Sequence, residues 1–431
     1  MRTLAVLGLA ASIGCVSSDP PDETVEYFAS SAVAVGDDIV VAMQRRLLGE
    51  PEQIVITRVH GGAASPLSPA LSGDAADKGT YEAQLAQIDG RAYLTYDSDL
   101  RFHGAPLGAD DKVDPATIID LGFEPALIRV GNRFAAVSYP DHGFSIFLPV
   151  DTYHATFVTS DGHRDGELDV ATEASPITTL GLVPRCAGNA KLLALPYLRR
   201  TFTGFDLFVS RVDESGALLD GGALPIVSSV DGQIQAGDAQ LTVTEDGGVV
   251  VVYELFDRDQ SSIHAVRIEP GAAPARSDRV IDLARVPSFL VTSGDRILAV
   301  SAPVAPGHVE PTFESFETRI LDDHGRPLAP PITIVTGDLH ASVIATPSGF
   351  AVLHGGGGPE TKLMPVDRDG RPGESITLAA SHQALPNADP GGCSSGRGSA
   401  GPGVLLLVLL VGWWARSARR TDTRIASTCR S

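Results

Sequence analysis

The sequence predicts an all-β chain of repeated four-stranded units, and three observations carry that expectation. The chain has 431 residues, 43% of them apolar, with 45 Gly and 30 Pro. That composition can build cores, but it breaks helices too often for a bundle. The second observation is a hairpin signal that recurs seven times: an apolar stretch, a tight turn with Gly, Asn or Asp, and another apolar stretch. Its instances are 33–41 about Gly36, 85–95 about Gly90, 127–137 about Gly131, 185–195 about Gly188, 241–252 about Gly247, 289–300 about Gly294 and 343–353 about Gly349. These glycines lie 54, 41, 57, 59, 47 and 55 residues apart. Gly and Asn supply the positive φ that tight hairpin turns need. The third observation is a further strand and polar turn inside most units, at 156–162, 208–216, 318–325 and 363–370, followed by a short last strand such as 332–335. Four strands in roughly 40–60 residues make a propeller blade. The expected fold is therefore a seven-bladed β-propeller over residues 28–380. The irregular spacing admits six to eight blades, and two stacked β-domains are the other architecture it allows.

The segments before the repeats read as processing signals. Arg2, an apolar run over 4–11 and the small residues before Cys15 make an export signal over residues 1–15. Gly14-Cys15 resembles the acceptor site of a bacterial lipoprotein signal, with Ser12 where that pattern has Leu. The resemblance implies lipid attachment at Cys15; cleavage by an ordinary signal peptidase is the plainer alternative. Residues 16–27 then form an acidic tether.

Behind the repeats, residues 381–402 form a Gly/Ser/Pro linker that contains Gly392-Cys393. An apolar run, 403–415, is expected to be a short transmembrane helix. It spans about 20 Å as a helix, less than a ~30 Å hydrocarbon core. Trp413 and Trp414 suit the interface, and Arg416, Arg419 and Arg420 open a basic cytoplasmic tail over 416–431. The Gly-Cys motif, short apolar helix and basic end resemble the MYXO-CTERM sorting tag of myxobacteria over residues 391–420. That resemblance implies processing at Cys393 and display at the cell surface. The chain departs from the pattern by continuing to Ser431. Both signals imply a protein exported to the cell envelope, at the outer membrane or the cell surface.

Charge and cysteines narrow the partners. Residues 16–393 hold 52 acidic and 26 basic side chains. Such a surface repels phosphate backbones, which argues against nucleic acid, and favours cations or basic partners. Cys186 is the one cysteine inside the repeats, so no disulfide is expected there, and it reads as a small core residue.

Propeller geometry sorts the connections. Turns between first and second strands, and between third and fourth, share one face. Loops between second and third strands, here 97–102, 140–151, 198–203, 255–262 and 302–313, open on the other. Variable loops on a rigid scaffold are where binding resides. The ligand-face candidates are therefore the residues that end the second strands: Tyr96, Asp97, Tyr139, Asp141, His142, Tyr197, Arg199, Tyr253, Glu254 and His354. The plainer reading is that tyrosine suits strand ends as an amphipathic residue.

Familiar catalytic motifs are missing. Within the repeats, residues 28–380, the sequence has no His-Glu-x-x-His, no Gly-x-Ser-x-Gly and no phosphate-binding Gly-Lys-Ser/Thr loop. The stretch 244–248 partly resembles the Asp-box of sialidase-like propellers, with Val251 where an aromatic residue closes that box. In that family the box steadies a turn; Arg199, Tyr197 and Glu254 are the residues that would take the family's catalytic roles. Asp257, Asp259, Asp367 and Asp369 lie in Asp-x-Asp loops and are weak calcium candidates; no other cofactor is expected. Both tryptophans lie in the terminal anchor, which argues against a tryptophan-based lectin. The expected function is a surface-anchored, non-enzymatic propeller that binds a protein, peptide or matrix component through its loop face. An extracellular hydrolase of glycans or esters and a structural envelope protein are the alternatives.

Overall fold

Seven antiparallel sheets follow one another along the chain in a computed structural model, each built from one contiguous run of sequence. Blade 1 holds β1 (Val25–Val35), β2 (Asp38–Leu47), β3 (Gln53–His60) and β4 (Ala63–Ala64), with β5 (Ser68–Pro69) also paired to β3. Blade 2 holds β6 (Tyr81–Ile88), β7 (Arg91–Ser98), β8 (Arg101–Pro106) and β9 (Ile119–Gly122). Blade 3 holds β10 (Ala126–Val130), β11 (Arg133–Ser138), β12 (Asp151–Thr159) and β13 (Arg164–Ala174). Blade 4 holds β14 (Ala187–Gly188), β15 (Leu192–Arg200), β16 (Phe205–Asp213) and β17 (Leu224–Val227). Blade 5 holds β18 (Ile234–Val243), β19 (Val249–Asp257), β20 (Gln260–Ile268) and β21 (Arg276–Val280). Blade 6 holds β22 (Phe289–Ser293), β23 (Arg296–Ser301), β24 (Ser315–Asp322) and β25 (Ile332–Val335). Blade 7 holds β26 (Ala341–Thr346), β27 (Gly349–His354), β28 (Glu360–Asp367) and β29 (Ile376–Ala380).

The described residues are 25–47, 50–71, 81–98, 101–122, 125–138, 151–174, 185–200, 205–228, 234–257, 260–271, 276–283, 285–301, 315–335, 341–355 and 360–380. The export signal, Cys15, Cys393, the apolar run 403–415 and the basic tail lie outside them. Among the described residues, no helix is long and apolar enough to cross a membrane.

All seven hairpins expected from sequence form, each between the first and second strands of a blade. The first strand starts at Val25, three residues ahead of the expected boundary at 28. Two loops need correction. Most of 97–102 and of 255–262 is strand, because β7 and β8 stay paired out to Ser98↔Arg101, and β19 and β20 from Val249↔Ile268 out to Asp257↔Gln260. Polar residues near a hairpin end look like loop in sequence, yet here they are cross-strand partners.

Both faces of each middle strand are covered, so these strands carry continuous apolar runs such as Ile39–Met43 and Val249–Tyr253. Val40 and Ala42 of β2 pack toward blade 2, while Val41 and Met43 pack toward blade 7. In β19, Val249 to Val252 are all fully buried. The alternation of side chains along a strand thus joins each blade to both neighbours.

Among the described residues no strand is exchanged between blades 1 and 7, and packing joins them. Val25, Tyr27, Ala29 and Ala32 of β1 pack against Leu353, Leu363 and Leu378 of blade 7. Ala29 N donates to the Gly355 carbonyl at 2.9 Å, and Thr361 Oγ1 donates to the Tyr27 carbonyl at 3.2 Å. Both bonds lie toward the loop face. Val25 pairs with Leu47 and Ala380 pairs with Glu360, so the chain enters and leaves the ring at that same loop face.

Candidate functional site

The tyrosines expected at a solvent-facing ring are buried instead. Tyr96, Tyr197 and Tyr253 are 2%, 0% and 1% exposed. Each packs its ring on a cross-strand partner: Tyr96 on His103 at 5.6 Å, Tyr197 on Phe208 at 5.6 Å and Tyr253 on His264 at 5.3 Å between centroids. Burial pushes the Tyr96 hydroxyl up to about 12, and burial also raises that of Tyr197. A second-strand side chain looks at the neighbouring blade, so an aromatic residue there fills the gap between blades. His354 is buried in the same way, and Asp97 and Glu254 are half-buried. Arg199 lies over the Phe208 ring at 4.7 Å and donates to the Thr172 carbonyl of blade 3 at 3.2 Å. The structure thus leaves Tyr197, Arg199 and Glu254 as parts of blades 4 and 5 rather than one cluster. Tyr139, Asp141, His142 and Asp259 lie outside the described residues, as does the side chain of Asp257.

The acidic turns are used by the backbone. Asp367 Oδ1 accepts the N–H groups of Asp369 at 2.9 Å and Arg371 at 2.8 Å. Asp322 does the same for His324 and Arg326, and Asp213 for Ser215 and Ala217. These are Asp-x-x-Gly turns in which one carboxylate closes the loop. Among the described residues no group of three or more His, Cys, Asp or Glu gathers to hold a metal. The Asp-box-like stretch is likewise a turn: Thr244 Oγ1 donates to Asp246 at 2.6 Å and Gly248 N donates to it at 3.1 Å. Burial opposes ionisation of Asp246, but these bonds and Arg267 outweigh it and hold the carboxyl below its usual range. Cys186 packs at the core shared by blades 3 and 4, where burial pushes its thiol up.

Two features escaped the motif search. One is a row of side chains across the second, third and outer strands. In blade 5, Ser262 Oγ lies 3.0 Å from His264 Nε2, His264 Nδ1 lies 3.4 Å from Asp278 Oδ1, and Tyr253 Oη donates to Asp278 Oδ2 at 3.1 Å. In blade 3, His154 pairs with Asp169 at 2.7 Å; in blade 2, His103 faces Asp120 across the strands. The signal was a histidine before a small residue in the third strand: His103-Gly104, His154-Ala155 and His264-Ala265.

The other feature is an arginine latch between blades, two residues before the turn that joins third and fourth strands. Arg58 of blade 1 donates to Asp111 of blade 2 at 2.7 Å. Arg211 of blade 4 donates to the Glu269 and Gly271 carbonyls of blade 5. Arg267 of blade 5 donates to the Asp323 carbonyl of blade 6. At other junctions a side chain fills the same place. Pro106, Phe157 and Ile320 stand beside Gly162, Gly216 and Gly370 of the next blade, within 3.5, 3.7 and 2.9 Å of where a Cβ would be.

At the junction from blade 7 to blade 1 the filler is missing. The latch position is Pro365, which is exposed, and among the described residues no atom lies within 4 Å of where a Cβ would stand on Gly61 or Gly62. A groove of about 640 Å³ opens there on the turn face. Ala34, Ile39, Val59, Phe350, Leu363 and Ile376 give it an apolar floor, and Asp37, Asp38, Ser348, Asp367 and Arg371 stand among its polar lining. The volume falls within the roughly 300–1,000 Å³ of ligand pockets.

No family model and no curated protein matches the chain. Solved structures share its fold at low identity. One comes from a study of two prolyl endopeptidases, at 11% identity, covering 80% of this chain and 47% of that one, with a TM-score of 0.50. This chain thus spans about half the length of that endopeptidase. Another is the polysaccharide lyase Uly1, at 10% identity, covering 82% of this chain and 90% of that one, with a TM-score of 0.50. These likenesses bear on the fold alone: an all-β, seven-bladed propeller of four-stranded blades.

Proposed function

We propose that this chain is exported, tethered at the cell envelope, and binds a protein, peptide or matrix component without covalent chemistry. The tethers on this reading are a lipidated Cys15 and the segment around Cys393 and 403–415. The observation that carries the binding role is the seam groove, the place where the repeat's own interblade filler is replaced by open, apolar-floored space. The arginines and acidic turns elsewhere support the same reading, because their charges are engaged in holding blades and loops together. The groove lies on the turn face, so it replaces the loop-face tyrosines as the favoured binding surface.

Intact-mass analysis with cell fractionation tests the address. The expected product starts at a lipidated Cys15 or ends near Cys393, in the outer-membrane or surface fraction. An unprocessed chain from Met1 to Ser431 in the cytoplasm overturns the proposal.

A second reading, ester hydrolysis, is favoured by one observation, the Ser262–His264–Asp278 relay. Its atoms stand in the order that activates a serine: hydroxyl to Nε2, and Nδ1 to carboxylate. The recurrence of the His–Asp pair in blades 2 and 3 marks the row as part of the repeat. Treatment with a fluorophosphonate probe separates the readings. The binding account predicts no adduct on Ser262, and an adduct lost in His264→Ala establishes the hydrolase.

A further inference from the structure

We propose that the seam groove binds an extended peptide segment in which apolar side chains alternate with lysine or arginine. This inference rests on the binding reading above and names the ligand class of the same site. Two independent observations point to that occupant. The first is shape and polarity. An extended strand turns alternate side chains to opposite sides at about 3.3 Å per residue. Its apolar set fits the floor made by Ala34, Ile39 and Ile376, which the missing filler leaves partly exposed. The second is charge. Asp37 and Asp367 are exposed at the rim, where the Asp367 carboxylate accepts its two turn N–H groups. Asp38 is shared with His60 at 2.6 Å and with Arg58 at 3.7 Å, and Arg371 adds one positive charge. Asp37 and Asp367 therefore set the sign of the free rim, and a basic group on the ligand complements it.

Presentation agrees with this. Val25 and Ala380, where the chain enters and leaves the ring, both lie at the loop face. A tether through either end leaves the turn face, and the groove on it, turned outward.

The test uses the full chain and two fluorescein-labelled peptides of about ten residues, one alternating Val and Lys, the other Val and Glu. Anisotropy is expected to show the Val/Lys peptide binding at least about tenfold more tightly, with the preference shrinking at high salt. Pro365→Arg places the latch side chain in the groove and is expected to abolish this binding. Asp37→Lys, an exposed turn substitution, is expected to weaken it about tenfold while leaving the ring intact. No preference between the peptides, or a preference that survives both substitutions, overturns the inference. Co-sedimentation of the full chain with envelope fragments separates the two levels. If wild type and Pro365→Arg both sediment to the same extent, the groove inference fails and the binding reading stands; if neither sediments, both fail.

Discussion

Arg211 is 1% exposed, and its guanidinium meets the Asp220 carboxylate at 2.6 Å as well as two carbonyls of blade 5. A buried charge that loses its partner costs about 3–5 kcal/mol. Arg211→Met is therefore expected to lower stability by about that amount in urea unfolding, because Asp220 stays behind. Arg211→Met with Asp220→Asn is expected to recover much of the loss; equal losses in both variants would show that the carbonyl contacts carry the latch. Asp213 acts through a different device. The Ser215 hydroxyl and the turn N–H groups hold its carboxyl below the ordinary value. A lowered carboxylate stabilises the fold above an unfolded value near ~3.9, and the contribution is lost as pH falls through the lowered one. Asp213→Ala is thus expected to cost about 1 kcal/mol at neutral pH. The gap to wild type should close in acid. A gap that stays constant into acid contradicts the assignment. Both roles had a trace in sequence, since Arg58-Val59-His60, Arg211-Val212-Asp213 and Arg267-Ile268-Glu269 share one pattern. The pattern alone does not say which blade an arginine will reach.

Elements were legible where local chemistry decides them. Gly36, Gly90, Gly131, Gly247 and Gly294 all take positive φ at the hairpin turns that they mark. The ligand-face residues were not legible, because the fate of a tyrosine such as Tyr253 depends on the next blade and not on its own strand. Sequence shows that it ends an apolar run; only the packed ring shows that blade 4 covers it. At the closure element, β28 contributes Thr361, 1% exposed, which donates to the Tyr27 carbonyl across the seam. Thr361→Val keeps the shape and removes the donor. It is expected to cost about 1 kcal/mol in thermal or urea unfolding and to speed amide exchange in β1. Unchanged exchange in β1 would show that apolar packing alone closes the ring.

At the scale of the whole molecule, six of the seven junctions carry a side chain at the latch level, and the junction of blades 7 and 1 is left open there. Sequential blades place Val25 and Ala380 in adjoining blades and on one face. Under the proposed tethering, the short-turn face with the seam groove lies opposite the face at which Val25 and Ala380 sit. In situ photo-crosslinking tests this account most directly. A photoreactive side chain is placed at Asp37, in the seam turn, or at Asn132, the matching exposed turn position of blade 3. The account predicts that intact cells give cross-linked partners from position 37 and few from 132. Equal adducts at both positions, or none from 37, would contradict it.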